Sequence, residues 1–512
     1  MTKALKDLRP ENEALHILVI GNSPHHTKSL LFLIQGLIRI DPEVRATLVC
    51  CASQHETFAK LVADSCVELV LFENGADTAD ASASSNTPAI KISSRGVLKH
   101  VLFLKRCLTR LPVAMPIFRK PLEAMIVKAK QSTPGLVLRE WALAARLKQE
   151  KLLATRLFDQ ISPNLIVAFG DRHPDIEAPL LLVARERSIK VVIPYTTYSG
   201  KDIMVQVRRN DPDYQTMKPF SFYRRMKAAH FRDQLHEGLF YQPPSMLAAY
   251  EKFGALSSYP WCLGNGLSDI ICVDSEVTAQ RYQKDRVRPE KIRIVGDVVY
   301  DKIAESFHRR HEIRAALTKK YGFDDNLKLI VLALPQLAEQ GVMDWEPHWR
   351  EMRFLVEVVS KTGQNLLLSL HPRMNPHDYA FLEQEYPCRI AKERLSDIVS
   401  APDVFMANYS STVVWAVLCG IRTIIVDFYG LNYKFFDYLR SVSVIRDRGK
   451  LQSELAGVIQ GQEVDFSTDW KALSRQEVLD GRTIERYLDL FRELANASTA
   501  HKPIPEQILE AI

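Results

Sequence analysis

Leu366-Leu367-Leu368-Ser369-Leu370-His371-Pro372-Arg373 and Asp403-Val404-Phe405-Met406-Ala407-Asn408-Tyr409-Ser410-Ser411-Thr412 decide how this chain is read. Each opens with a short apolar run, the mark of a strand buried on both faces of a parallel sheet, and each run stops abruptly at polar residues. Open α/β sheets bind ligands in the crevice beyond the carboxyl ends of their strands. If the two strands are neighbours, His371, Arg373, Ser410, Ser411 and Thr412 face one crevice. A helix beginning at Thr412 would add its N-terminal N–H groups, completing a cradle for a phosphate or diphosphate. The expected substrate is an activated, phosphate-bearing one.

Working outward from these segments, strands and helices alternate along most of the chain, which predicts parallel βαβ units. In the amino-terminal part, strands are expected at His16–Ile20, Ala46–Cys51, Val67–Phe72, Leu165–Phe169 and Lys190–Pro194. Helices are expected over Lys28–Ile40, Phe58–Ser65 and Ile176–Ser188, and a polar loop over Asn74–Pro88. The rhythm fades between Lys201 and Leu263, a stretch rich in Arg, Tyr and Phe that reads as an insertion or as helices bridging two domains. It restarts with strands at Asp269–Val273, Ile292–Val295, Lys328–Leu334, Leu366–Leu370, Val404–Ala407 and Thr423–Asp427. One helix is expected from Asp301 into Tyr321, and an amphipathic helix near Arg482–Leu494. The predicted class is α/β with two doubly wound domains, residues 1–262 and 263–475, followed by a helical segment 476–512.

Composition narrows the function. The 512 residues suffice for two large domains, and 46% apolar with 25% charged residues is ordinary for a globular protein. Met1–Pro10 lacks the apolar core of a secretory signal, and no run nears the 18 to 20 apolar residues that span a bilayer. Eight cysteines without a C-x-x-C pair indicate neither a zinc site nor a disulfide framework. A reduced, cytoplasmic protein is expected. A net charge of +6 does not imply nucleic acid. Between Arg95 and Lys130, however, nine Lys or Arg residues face the single acid Glu123, with leucines interleaved at helical spacing. That pattern fits peripheral contact with the inner face of a membrane, or a solvated helix packed on its own domain.

Three groups of residues carry a family resemblance. Pro163-Asn164-Leu165-Ile166-Val167-Ala168-Phe169-Gly170-Asp171 resembles a strand and Gly-Asp turn of UDP-N-acetylglucosamine 2-epimerases. Ile270-Ile271-Cys272-Val273-Asp274-Ser275, with Val295-Gly296-Asp297-Val298-Val299-Tyr300-Asp301, resembles the first strands of the carboxyl-terminal domain in the same GT-B fold. His371-Pro372 with Ser410-Ser411 resembles the HP and SS motifs of polysialyltransferases, capsule transferases and CDP-glycerol polymerising enzymes. The resemblance implies a GT-B glycosyltransferase with no cofactor or metal, using a CMP-, CDP- or UDP-linked donor. The implied acceptor is a glycan, glycolipid or glycoprotein of the bacterial surface. The paired glutamates of the epimerases are missing where this chain reads Thr412-Val413-Val414-Trp415, and Val and Trp cannot exchange protons with a sugar ring. Transfer is therefore favoured over epimerisation; a non-catalytic docking module is the third reading.

Displacing a nucleotide from an anomeric carbon builds charge on the departing phosphate, which preorganised donors stabilise. His371 is the candidate donor. Pro372, Arg373, Ser410, Ser411, Thr412, Gln336 and Gly296 are candidates for holding the nucleotide-sugar. Asp171 is the candidate general base, followed by His25, His26 and His173. Asp427, Tyr429, Asn432 and Tyr433 follow the last expected strand and could line the same pocket. Asp211-Pro212-Asp213 matches a metal-binding D-x-D pattern but reads as a turn.

Overall fold

The computed structural model describes residues 14–63, 65–72, 132–172, 176–196, 198–209, 211–216, 222–431, 434–461 and 464–499. The loop expected over Asn74–Pro88, the basic segment Arg95–Lys130, and residues His173, Asn432 and Tyr433 lie outside them. Two compact units result. One runs to Val273 and takes in Thr278–Ile294 and the chain from Ile484; the other comprises Asp274–Val277 and Val295–Thr483.

In the first unit, seven parallel strands form one sheet: β1 (His16–Gly21), β2 (Arg45–Cys51), β3 (Glu68–Phe72), β4 (Leu165–Val167), β5 (Lys190–Ile193), β6 (Ile270–Val273) and β7 (Ile292–Ile294). Their order is β3-β2-β1-β4-β5-β6-β7. Ile17, Leu18, Val19 and Ile20 have no exposed surface, which is why β1 reads as an unbroken apolar run. Leu18 and Ile20 pack with Leu153, Leu157 and Phe158 of the long helix Thr133–Ile161. That helix starts where the Ser132 hydroxyl accepts the Gly135 N–H at 3.3 Å, with Pro134 in its first turn. It ends at Ser162, which is left-handed at φ 49°.

The domain boundary differs from the one expected at residue 263. Strands β6 and β7 extend the first sheet, Val192 pairing with Ile270 and Ile271 with Ile292. Asp269 fastens this junction: its carboxylate accepts the Val191 N–H at 2.9 Å and pairs with Lys190 at 3.1 Å. A βα repeat looks the same in sequence whichever sheet its strand joins, so periodicity could not place the boundary. The carboxyl-terminal helix Thr483–Thr499 is also no separate segment. Its Tyr487 and Phe491 are fully buried, and the Tyr487 hydroxyl accepts the Tyr195 N–H at 3.0 Å. Gly36 permits this docking, because a β-carbon there would stand 2.6 Å from the Ile484 side chain.

The second unit holds six parallel strands: β8 (Leu329–Ala333), β9 (Asn365–Ser369), β10 (Arg389–Ile390), β11 (Val404–Ala407), β12 (Arg422–Val426) and β13 (Val442–Ile445). Their order is β10-β9-β8-β11-β12-β13. Alternate residues face two cores. Leu329, Val331, Leu367, Phe405 and Ile425 pack against the helices Tyr300–His308 and Thr412–Leu418. Ile330, Leu332, Leu366, Leu368 and Met406 pack against Trp345–Ser360 and Leu451–Gln460. The single helix expected from Asp301 into Tyr321 is two helices, Tyr300–His308 and Arg310–Tyr321.

Both sheets reverse direction of growth once. The reversal falls between β1 and β4 in the first and between β8 and β11 in the second. A crevice outside the carboxyl ends at such a switch point is where doubly wound sheets bind ligands.

Candidate functional site

The second switch point is bordered by the loops after β8 and β11, and the loops after β9 and β12 flank these. His371 and Ser410 were expected on neighbouring strands, but β8 stands between β9 and β11, about 10 Å from one to the other at ordinary strand spacing. The two residues therefore border the switch point from opposite sides.

His371, Pro372 and Arg373 form an exposed turn closed by the Met374 N–H on the His371 carbonyl at 2.8 Å. The Arg373 N–H donates to His371 Nδ1 at 3.1 Å. With Nδ1 accepting, a neutral His371 ring carries its proton on Nε2, the tautomer required of a hydrogen-bond donor to phosphate. Asn375 then caps the short helix Pro376–Tyr379, its side chain accepting the His377 N–H at 3.3 Å.

On the other side, Ser410 Oγ accepts from the Thr412 N–H at 3.3 Å and from the Thr412 hydroxyl at 2.9 Å. Ser410 thus organises the start of the helix, whereas the exposed Ser411 makes no capping bond. The helix Thr412–Leu418 has only seven residues, so its N-terminus contributes less to anion binding than expected from the sequence. Beside it, Asp427 is buried and accepts the Leu431 N–H at 3.0 Å and the Tyr409 hydroxyl at 3.2 Å. Burial and the Asp427 carboxylate raise the Tyr409 pKa, so this hydroxyl stays a donor.

The loop after β8 carries Gln336, whose carbonyl oxygen accepts from Gln340 at 3.1 Å, and Glu339. Glu339 Oε1 accepts the Tyr379 hydroxyl at 2.6 Å, and the Tyr379 oxygen meets His348 Nε2 at 2.9 Å. This Glu339–Tyr379–His348 chain was not legible in the sequence, since its members are 40 and 31 positions apart. Gly296 has φ 103°, a value that favours glycine. Asp297 next to it accepts the Val299 N–H at 3.0 Å. Burial, with nearby Asp274, pushes the Asp297 carboxyl up to about 7.

In the first unit Asp171 has another task than the one expected. It is 3% exposed, and its carboxylate accepts the N–H groups of Gly264 at 3.3 Å and Gly266 at 2.9 Å and the Ser268 hydroxyl at 2.6 Å. A carboxylate closed around three donors anchors a loop and is poorly placed to take a proton from a substrate. The side chains of His25 and His26 lie outside the described residues, although the backbone there begins the helix Pro24–Ile40. Asp211-Pro212-Asp213 is a turn in which Asp211 accepts the Asp213 N–H at 2.9 Å. Among the described residues no group of three or more His, Cys, Asp or Glu side chains could hold a metal ion. Nor is any helix among them long and apolar enough to cross a membrane.

No protein-family model matches this chain, and no curated protein does. Solved structures do. CalG4, the calicheamicin glycosyltransferase, aligns over 94% of this chain and 99% of its own, with TM-score 0.51 and 12% identity. The UDP-GlcNAc 2-epimerase of Neisseria meningitidis aligns over 94% and 100%, with TM-score 0.45 and 9% identity. The wall teichoic acid polymerase TagF aligns over 95% and 90%, with TM-score 0.45 and 9% identity. The likeness to CalG4 is one of fold, and with the two doubly wound parallel sheets it makes this chain a GT-B fold.

Proposed function

We propose that the protein is an inverting glycosyltransferase that takes a sugar from a CMP-, CDP- or UDP-linked donor and needs no metal. The observation that carries this reading is His371, fixed by the Arg373 N–H in the tautomer that presents Nε2–H, beside the switch point of a GT-B sheet. The fold is that of a glycosyltransferase, CalG4, which supports the reaction class. An acceptor hydroxyl attacks the anomeric carbon and loses its proton to a base. The bond from that carbon to the phosphate oxygen breaks, and the electron pair leaves with the nucleotide. His371 Nε2–H, Arg373 and the Ser411 hydroxyl stabilise the charge gathering on the phosphate. Val413 and Trp415, where epimerases place glutamates, disfavour epimerisation. The acceptor is a bacterial surface glycan, glycolipid or glycoprotein, reached from the cytoplasmic side. Residues 95–130 provide any membrane contact, which co-sedimentation with anionic vesicles at low and high salt tests.

Incubation with a panel of CMP-, CDP- and UDP-sugars, reading nucleotide release with and without acceptor glycans, tests the proposal. Release of one nucleotide by the wild type and its loss in His371→Ala supports it. No release from any donor contradicts it, and conversion of UDP-GlcNAc without an acceptor would establish epimerisation instead.

A further inference from the structure

Two polar atoms in the loop after β8 lack a hydrogen-bond partner: Gln336 Nε2 and Glu339 Oε2. The Gln336 side chain is nine-tenths buried at 9% exposure, and its carbonyl oxygen already accepts from Gln340. With the two amides in this orientation, the Gln336 NH2 group is the end that needs an acceptor. Glu339 is the complement. Its Oε1 is taken by the Tyr379 hydroxyl, and Oε2 is the end that needs a donor.

The chain behind Glu339 has one direction. A tyrosine hydroxyl has a single proton, and Tyr379 gives it to Glu339; its oxygen therefore accepts from His348 Nε2–H. His348 has no exposed surface, and burial lowers its pKa, which keeps the ring neutral and consistent with this order. Tyr379 also closes the helix that follows His371-Pro372-Arg373. It thus ties the loop bearing the phosphate candidates to the loop bearing Gln336 and Glu339. Native folds seldom leave such buried groups unmet unless a ligand or water meets them.

The chemistry of the ligand follows from the pair. A cation would satisfy the carboxylate and be repelled by the amide hydrogens, and a phosphate would do the reverse. A hydroxyl both donates and accepts. We propose that Glu339 and Gln336 bind a hydroxyl of the nucleotide-linked donor, Glu339 accepting from it and Gln336 donating to it, with Tyr379 and His348 as positioning residues. This rests on the donor reading above.

Calorimetric titration tests it with four probes: the ribonucleotide that binds the wild type, its 2′,3′-dideoxy form, the corresponding nucleotide sugar and inorganic phosphate. Glu339→Gln is expected to weaken nucleotide-sugar binding tenfold or more, and Tyr379→Phe about threefold. A loss shared with the ribonucleotide but absent from the dideoxy form assigns the hydroxyl to ribose. A loss confined to the nucleotide sugar assigns it to the transferred group. Equal weakening of every probe, or none, overturns the proposal, the latter meaning that the two atoms hold only water. If Glu339→Gln does not fold, Gln336→Leu gives the same readout with the Tyr379 chain intact. Failure of the wild type to bind any nucleotide would instead bring down the donor reading, and this proposal with it.

Discussion

At the switch point of the first sheet, Asp171 gives both carboxylate oxygens to Gly264, Gly266 and Ser268. At that of the second, Gln336 and Glu339 each keep one buried polar atom without a partner, and His371 is held in a donor tautomer on the surface. The two edges have the same parallel topology and the same Rossmann-like reversal. Thr27 Oγ1 and Arg172 Nε at the first edge are unmet as well, so the difference lies in the two carboxylates: the fold supplies a place for a ligand and the side chains decide whether the place is used. Where both oxygens of an acid are met, as in Asp171, it stabilises a loop; where one is held but unmet, as in Glu339, chemistry is on offer.

The comparison breaks most severely at Gly266. A β-carbon there would lie 1.9 Å from the Asp171 carbonyl oxygen, so Gly266→Ala must displace the loop. Asp171→Ala leaves three donors unmatched, at about 1–3 kcal/mol for each that stays buried. Both are expected to lower stability by roughly 3–5 kcal/mol or prevent folding, read as the urea midpoint. Retention of wild-type stability by Asp171→Ala, with loss of turnover, would return the acid to a catalytic role.

His371→Ala inverts that pattern. The residue is exposed, so stability should change by less than about 1 kcal/mol. Turnover should fall about 10²–10³-fold, the usual cost of removing a donor to developing charge. Ser410→Ala tests the same edge more gently: losing the bonds to Thr412 should cost about 0.5–2 kcal/mol of stability.

The smallest effect is a pH dependence at Asp297. Its folded-state pKa of about 7 lies above its ordinary 3.8. Between those values the folded carboxyl holds a proton that the unfolded chain has lost. Stability from this group therefore falls as pH rises through that window, and the penalty is complete above it. Asp297→Asn removes the penalty. Its melting temperature should exceed the wild type's by more at pH 8 than at pH 5; a gap that does not widen would show that the carboxyl ionises normally.

The strands were legible because burial on both faces leaves unbroken apolar runs, as in Ile17–Ile20 and Leu366–Leu368, all without exposed surface. Sheet membership was not, since β6 and β7 repeat the same βα pattern as the strands beyond them. The two-residue β10 and the partly exposed β13 were missed because neither gives such a run. At the site, His371 and Ser410 stood out because each follows a strand end. The closure of Asp171 was hidden, as its donors come from 93, 95 and 97 positions away. The Glu339–Tyr379–His348 chain was hidden for the same reason: long-range bonds leave no local pattern.

The most direct test of the central claim, that the second sheet's switch point holds the donor's phosphate, is titration of CMP, CDP and UDP into wild type, His371→Ala and Asp171→Asn. One nucleotide is expected to bind the wild type, to bind His371→Ala at least tenfold more weakly, and to bind folded Asp171→Asn as tightly as the wild type. Equal affinity for wild type and His371→Ala, or weakening in Asp171→Asn alone, would contradict it.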